Sequence, residues 1–100
     1  MIRVYISGPM TGYADFNKPA FNQEAARLRA LGYDVVNPAE LNPDDATPWQ
    51  DCLRNDIAHL VTCDALVMIE GWEKSNGAHL EMHIAHRVGM EIILARDLQS

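Results

Sequence analysis

The sequence predicts a small α/β domain, a Rossmann-like or flavodoxin-like parallel sheet with helices on both faces, and three observations carry that prediction. Short apolar runs alternate with longer helical stretches along the whole chain, without an internal repeat, low-complexity tract or linker. The run Ala65-Leu66-Val67-Met68-Ile69 lacks polar alternation, as a strand buried on both faces does. Several runs end in turns rich in Gly, Pro, Ser or Asn, at the sheet edge where open α/β folds bind ligands. A chain of 100 residues is expected to form one domain over 1–100, with a single core.

The elements follow in order. Residues 3–7 form the first strand and 16–31 a helix, with apolar or small residues at Ala20, Phe21, Ala25, Leu28 and Leu31 and with Gly32 as its C′ residue. A second strand over 33–36 is ended by Asn37-Pro38. Residues 42–48 are a turn-rich connection, in which Thr47 suits an N-cap and Pro48 the first position of a helix over 49–61. The third strand is 65–69, and the last helix starts at Asn76 and runs to Val88, with Ser75 or Asn76 as its cap. Its apolar seam is expected to be Leu80, Ile84 and Val88, with Ala78, Ala85 and Gly89 as small packing residues and Glu81 beside the seam. A strand over 91–95 completes the sheet, and right-handed crossovers distribute the helices over its two faces.

Composition narrows the function classes. A net charge of −6, with only eight scattered Lys and Arg, argues against a nucleic-acid duplex as partner but leaves small nucleotides open. No apolar run approaches the roughly 20 residues of a membrane helix. The N-terminal strand runs straight into Gly8-Pro9 and does not read as a secretory signal, so a cytoplasmic address is expected. Cys52 and Cys63 have no metal-like spacing and read as buried, reduced thiols.

Chemistry concentrates at the sheet's carboxyl edge. The strand-to-helix stretch from Glu70 to Glu81 places Ser75, Asn76 and Gly77 at the start of a helix, whose free N–H groups suit an anion, and Glu81 about a turn and a half deeper. The segment Ser7-Gly8-Pro9-Met10-Thr11-Gly12 suits a loop pressed close to a ligand, although its spacing is neither a Walker nor a dinucleotide fingerprint. Taken alone, Asp56 reads as a solvated helix acid, and Asp64 as a cap or stop of the preceding helix. His79, His83 and His86 share a helical face, but no companion ligands accompany them; they read as a partly exposed face or a subunit contact.

Tyr5-Ile6-Ser7-Gly8-Pro9, Asn55-Asp56 with Asp56 eight residues before Asp64-Ala65-Leu66-Val67, and Ser75-x-Gly77-x-x-x-Glu81 followed by an Ala-rich helix and Gly89-x-x-Ile92 form an ordered set. This set resembles the nucleoside 2-deoxyribosyltransferase superfamily, more closely a small branch often borne by phages and related to deoxynucleoside 5′-monophosphate N-hydrolases. The resemblance implies cleavage of an N-glycosidic bond by hydrolysis or by transfer to another base. It implies Glu81 as nucleophile, Tyr5 as the group orienting it, and Asp56 as the group handling the sugar or the proton near the leaving base. Ser7, Gly8, Pro9, Met10, Ser75, Asn76 and Gly77 then border the substrate. Deoxyribosyltransferases commonly carry Asp six residues before the nucleophile and the N-hydrolases carry Ser there, so Ser75, with Lys74 beside it, favours a nucleoside 5′-monophosphate.

Neither cofactor nor metal is expected, and the superfamily's habit implies a homodimer or larger assembly. Relatives extend past the last strand and often place a C-terminal residue in the neighbouring subunit's site; the sequence ends at Asp97-Leu98-Gln99-Ser100, so that contribution is not expected. A non-catalytic module that binds a small nucleotide is the alternative reading.

Overall fold

The computed structural model describes residues 2–42 and 44–99. Met1, Ser100 and Pro43, the last a part of the expected turn-rich connection, lie outside the described residues. Four parallel strands, β1 (Arg3–Ser7), β2 (Asp34–Val36), β3 (Ala65–Met68) and β4 (Glu91–Leu94), form one sheet in the order β2-β1-β3-β4, a flavodoxin-like arrangement. The main helices are α1 (Lys18–Ala30), α3 (Trp49–Leu60) and α4 (Asn76–Arg87), with a short α2 (Pro38–Leu41) after β2.

The strand order determines where the helices sit. The chain moves one way from β1 to β2 and then back across β1 to β3 and β4. With right-handed crossovers, such a reversal puts α1 on one face and α3 with α4 on the other. The two cores match this. Val4, Ile6, Val35, Val67 and Ile69 pack with Phe21, Ala25 and Leu28 of α1. Tyr5, Val36, Leu66 and Met68 pack with Leu60 of α3 and with Ala78 and Ala85 of α4. The reversal also parts the connections at the carboxyl ends of β1 and β3, which opens a crevice there.

Strand alternation assigns the faces: Val4 and Ile6 look toward α1, so Tyr5 and Ser7 look toward α4. Gly32, at φ 97°, closes α1 with Tyr33 N–H donating to Leu28 O at 3.1 Å and Gly32 N–H to Arg29 O at 3.0 Å, as its place after the apolar stripe predicts.

Several boundaries differ from the expectation. The first long helix starts at Lys18 and not at residue 16, because Asp15, Phe16 and Asn17 adopt left-handed φ values of 52°, 52° and 60° in a 3-10 turn, Ala14–Asn17. The Asn17 amide donates to Pro9 O at 2.8 Å and does not cap the helix; Pro19, which lacks an N–H, fits the first turn. Pro48 and not Thr47 holds the N-cap of α3: its ψ is 144°, and its carbonyl accepts from Asp51 N–H and Cys52 N–H. Asn37-Pro38 stops β2 but also starts α2, with the Asn37 side chain accepting from Ala39 N–H. Other ends differ by about a residue, the usual fraying at element ends.

The face of α4 is a larger correction. Leu80 and Val88 are exposed and Ile84 is half-buried, whereas Ala78, Glu81 and Ala85 pack inward. Two alanines bring the helix backbone close to the sheet, and a seam of larger side chains would have held it away. Glu81 therefore lies on the packing face itself. Asp64 does not cap α3; its carboxylate accepts from Arg3 N–H at 2.9 Å and ties the starts of β1 and β3 together. Cys63 is buried and Cys52 half-buried, and both are free thiols. Among the described residues no helix is long and apolar enough to cross a membrane.

Candidate active site

The loop after β3 turns at Gly71, φ 91°, passes through a 3-10 turn at Trp72–Lys74 and reaches Ser75 in extended conformation. Ser75 Oγ accepts from Ala78 N–H at 3.1 Å, so Ser75, and not Asn76, is the cap of α4. From that anchored start the second turn of α4 carries Glu81 down onto the sheet, where the side chain is 7% exposed.

Two hydroxyls from β1 meet it. Tyr5 Oη donates to Glu81 Oε2 at 2.6 Å, and Ser7 Oγ donates to Glu81 Oε1 at 2.6 Å. Tyr5 and Ser7 are two apart on one strand, so the pleat points both at the same helix. Ser7 is wholly buried and directs its hydroxyl to Glu81, not to the crevice where the resemblance put it. Gly8 borders the crevice, and a Cβ there would stand 2.3 Å from Cγ1 of Ile69, which packs over the backbone.

A cavity of about 640 Å³ opens above Glu81. The β1–α1 segment contributes Gly8, Pro9, Met10, Phe16 and Lys18, and the α4 start contributes Lys74, Ser75, Asn76 and Gly77. The opposite wall is built from Asn42 at the end of α2, Thr47 in the connection that follows, and Trp49, Cys52 and Asp56 of α3. Glu81 and Asp56 thus share one cavity, with Glu81 at its floor and Asp56 on its wall. Asn42 Nδ2 donates to Asp56 Oδ1 at 2.6 Å. Lys18 pairs with Asp45 where α1 approaches the 44–48 segment.

Burial dominates the electrostatics. Desolvation pushes Glu81 up to about 7, against the Ser7 and Tyr5 hydroxyls, which favour its charged form, and with the Asp56 charge raising it further. Asp56 is raised to about 6, again by burial, with the Asn42 amide and His59 opposing. Tyr5 is raised well above its ordinary value by burial and by the Glu81 charge, so it remains a phenol and a donor. A buried carboxylate held at both oxygens beside a second, differently placed carboxyl can supply a nucleophile and a proton donor in one cavity.

Sequence reading missed Asn42, Trp49, Cys52 and Lys18 as cavity residues. The one signal available was Trp49, a large aromatic at the first position of a helix; it is 57% exposed and lines the cavity. His79, His83 and His86 are exposed, and the His79 ring lies 5.6 Å from that of Trp72. Among the described residues no three His, Cys, Asp or Glu side chains are grouped to hold a metal.

The sequence profile of a domain family of unknown function, DUF4406, matches residues 2–94. No curated protein sequence matches the chain. Among solved structures, the 2-deoxyribosyltransferase of Bacillus psychrosaccharolyticus is similar, with a TM-score of 0.72 and 19% identity over 92% of this chain and 70% of that one. A 2-deoxyribosyltransferase from Leishmania mexicana gives a TM-score of 0.73 and 19% identity over 94% of this chain. The chain spans only 63% of the Leishmania protein's length. At this identity the likeness shows a shared fold.

Proposed function

This chain belongs to the DUF4406 family, and we propose that it cleaves the N-glycosidic bond of a nucleoside or nucleoside 5′-monophosphate. One observation carries the reading: Glu81, buried at the floor of the cavity, has a hydroxyl donor on each carboxylate oxygen. A structural glutamate has no need of such a place, because burying an ionisable group costs stability that an apolar residue would not. The fold shared with 2-deoxyribosyltransferases agrees with the reading.

In this reading a Glu81 oxygen attacks the anomeric carbon while the bond from that carbon to the base nitrogen breaks, and the electron pair leaves with the base. Asp56 delivers a proton to the departing base. The glycosyl ester on Glu81 is then opened at the same carbon by water or by a second base, whose proton returns to Asp56. Tyr5 and Ser7 hold Glu81 in line and share its charge. The Ser75 cap, the adjoining N–H groups of α4 and Lys74 offer a seat for a 5′-phosphate at one end of the cavity.

The test is release of free base from a panel of ribo- and deoxyribonucleosides and their 5′-monophosphates, with and without an acceptor base, followed by chromatography. Release that is lost in a folded Glu81→Ala variant supports the reading. No release from any substrate, with tight nucleotide binding that Glu81→Gln leaves unchanged, replaces it with a binding module.

A further inference from the structure

Asp56 does not stand alone on the cavity wall. Its Oδ1 receives the Asn42 amide at 2.6 Å. Asn42 is held in turn: its Nδ2 also reaches Pro38 O at 3.3 Å, and its Oδ1 accepts from Asn55 Nδ2 at 3.2 Å. Asn55 Nδ2 also donates to Leu41 O at 3.2 Å. A helix residue thus grips the end of α2, and the end of α2 grips the next residue of that same helix. Among the described residues no hydrogen bond reaches Asp56 Oδ2.

We propose that Asn42, clamped by Asn55, is a positioning residue that fixes the Asp56 carboxyl by one oxygen and leaves Oδ2 free for the substrate. The inference rests on the glycosidic reading of the site. An amide donor at Oδ1 cannot accept a proton from the carboxyl, so the transferable proton resides on Oδ2. The same bond favours the charged form of Asp56 and so limits the rise that burial imposes. The other groups facing Asp56 are His59 and Cys52 on its own helix, Glu81 on α4 and Tyr5 on β1.

The side chain at residue 42 therefore selects the oxygen that carries the proton and lowers the pH up to which the proton is held, against the larger upward effect of burial. Neither property is legible from Asn55-Asp56 as a sequence pair, because the essential partner comes from another element, 14 residues away.

The experiment follows the Asp56 carboxyl by carbon NMR in protein labelled at aspartate, assigned with Asp56→Asn, in wild type, Asn42→Ala and Asn55→Ala. Base release is measured on the same samples. The Asp56 midpoint is expected to rise by roughly half a pH unit or more in Asn42→Ala, with a smaller rise in Asn55→Ala. The pH optimum of base release should move upward with it, while the rate at the new optimum falls roughly 10- to 100-fold through lost orientation. A merely structural role would lower the melting temperature and leave the midpoint and optimum in place. An unchanged midpoint in folded Asn42→Ala and Asn55→Ala overturns the proposal. Absence of base release in wild type overturns the glycosidic reading instead, and the NMR midpoint still decides what Asn42 does to Asp56.

Discussion

Tyr5 Oη lies 2.6 Å from Glu81 Oε2 across 76 residues of sequence, and the contact joins the first strand of the sheet to the last helix. Ser7, two residues along the same strand, occupies the other Glu81 oxygen. Donors at both oxygens favour the carboxylate, burial disfavours it, and burial wins, so Glu81 titrates at about 7. A group poised near neutrality, shielded from water and fixed in orientation suits attack on an electrophilic carbon.

Tyr5→Phe removes one donor and leaves an oxygen of Glu81 unpaired. A hydrogen bond to a charged group is worth about 1.5–3 kcal/mol, so base release near pH 6.5 is expected to fall roughly 10- to 100-fold. The Glu81 midpoint should rise, because the lost donor favoured the charged form. Rate against pH in the folded variant checks both; an unchanged profile would detach Tyr5 from the role proposed for Glu81.

The proposed mechanism needs Glu81 ionised and Asp56 protonated, yet Glu81 stands at about 7 and Asp56 at about 6. The active form is then a minority, roughly one molecule in twenty near pH 6.5, and the profile of kcat/KM should be a bell with limbs near 6 and 7. A rate that keeps rising to pH 9 would remove Asp56 as the proton donor.

Glu81 also sets a pH dependence of stability. Its value in the folded protein, about 7, lies above the ordinary 4.5, so the folded state binds more protons between those limits. The contribution of Glu81 to stability is therefore greatest below about 4.5, declines as pH rises to about 7 and is level beyond it. Glu81→Gln removes the ionisation and should be the more stable form at pH 8, by roughly 1–3 kcal/mol, with the difference vanishing toward pH 4.5. Urea melts of the two proteins at pH 4.5 and pH 8 check the sign, and loss of base release in the stabilised variant is the expected accompaniment.

Gly8→Ala would bring a Cβ to 2.3 Å from Ile69 Cγ1, on β-branched atoms that cannot swing away. Destabilisation of about 1–3 kcal/mol is expected, and Ile69→Ala in the same chain should recover part of it. Denaturant midpoints of the two single variants and the double variant measure the coupling. Simple additivity would place the cause elsewhere.

The sheet and its helices were legible because they depend on local signals: an unbroken apolar run at Ala65–Met68, an apolar stripe on α1 and Gly32 past its end. The short helix at Pro38–Leu41 was hidden because Asn37-Pro38 is equally good at stopping a strand and at starting a helix. The inward face of α4 was misassigned because apolar periodicity ranks Leu80, Ile84 and Val88 above two alanines and a glutamate, whereas close helix–sheet approach selects the small residues. Tyr5, Ser7 and Glu81 could be nominated as residues, but their contact joins distant elements, and so does that of Asn42 with Asp56. No local pattern encodes such pairings.

Ser75 offers a way to separate binding of a 5′-phosphate from the chemistry. Its hydroxyl caps α4, and it lines the cavity beside Lys74, Asn76 and Gly77. Aspartate is as good an N-cap as serine, so Ser75→Asp should hold the helix to within a few tenths of a kcal/mol, whereas Ser75→Ala should cost about 1 kcal/mol. A carboxylate some 4 Å from a bound phosphate, at an effective dielectric near 20, repels it by about 4 kcal/mol. Ser75→Asp is therefore expected to lower kcat/KM for 5′-monophosphates roughly 100-fold or more while leaving nucleosides nearly unchanged. Ser75→Ala should weaken both by a smaller and similar factor, since it loosens the helix that carries Glu81. Steady-state rates of the two variants on matched nucleoside and monophosphate pairs decide the matter. If Ser75→Asp depresses both substrates equally, the phosphate does not sit at the start of α4, and the free nucleoside becomes the better substrate assignment.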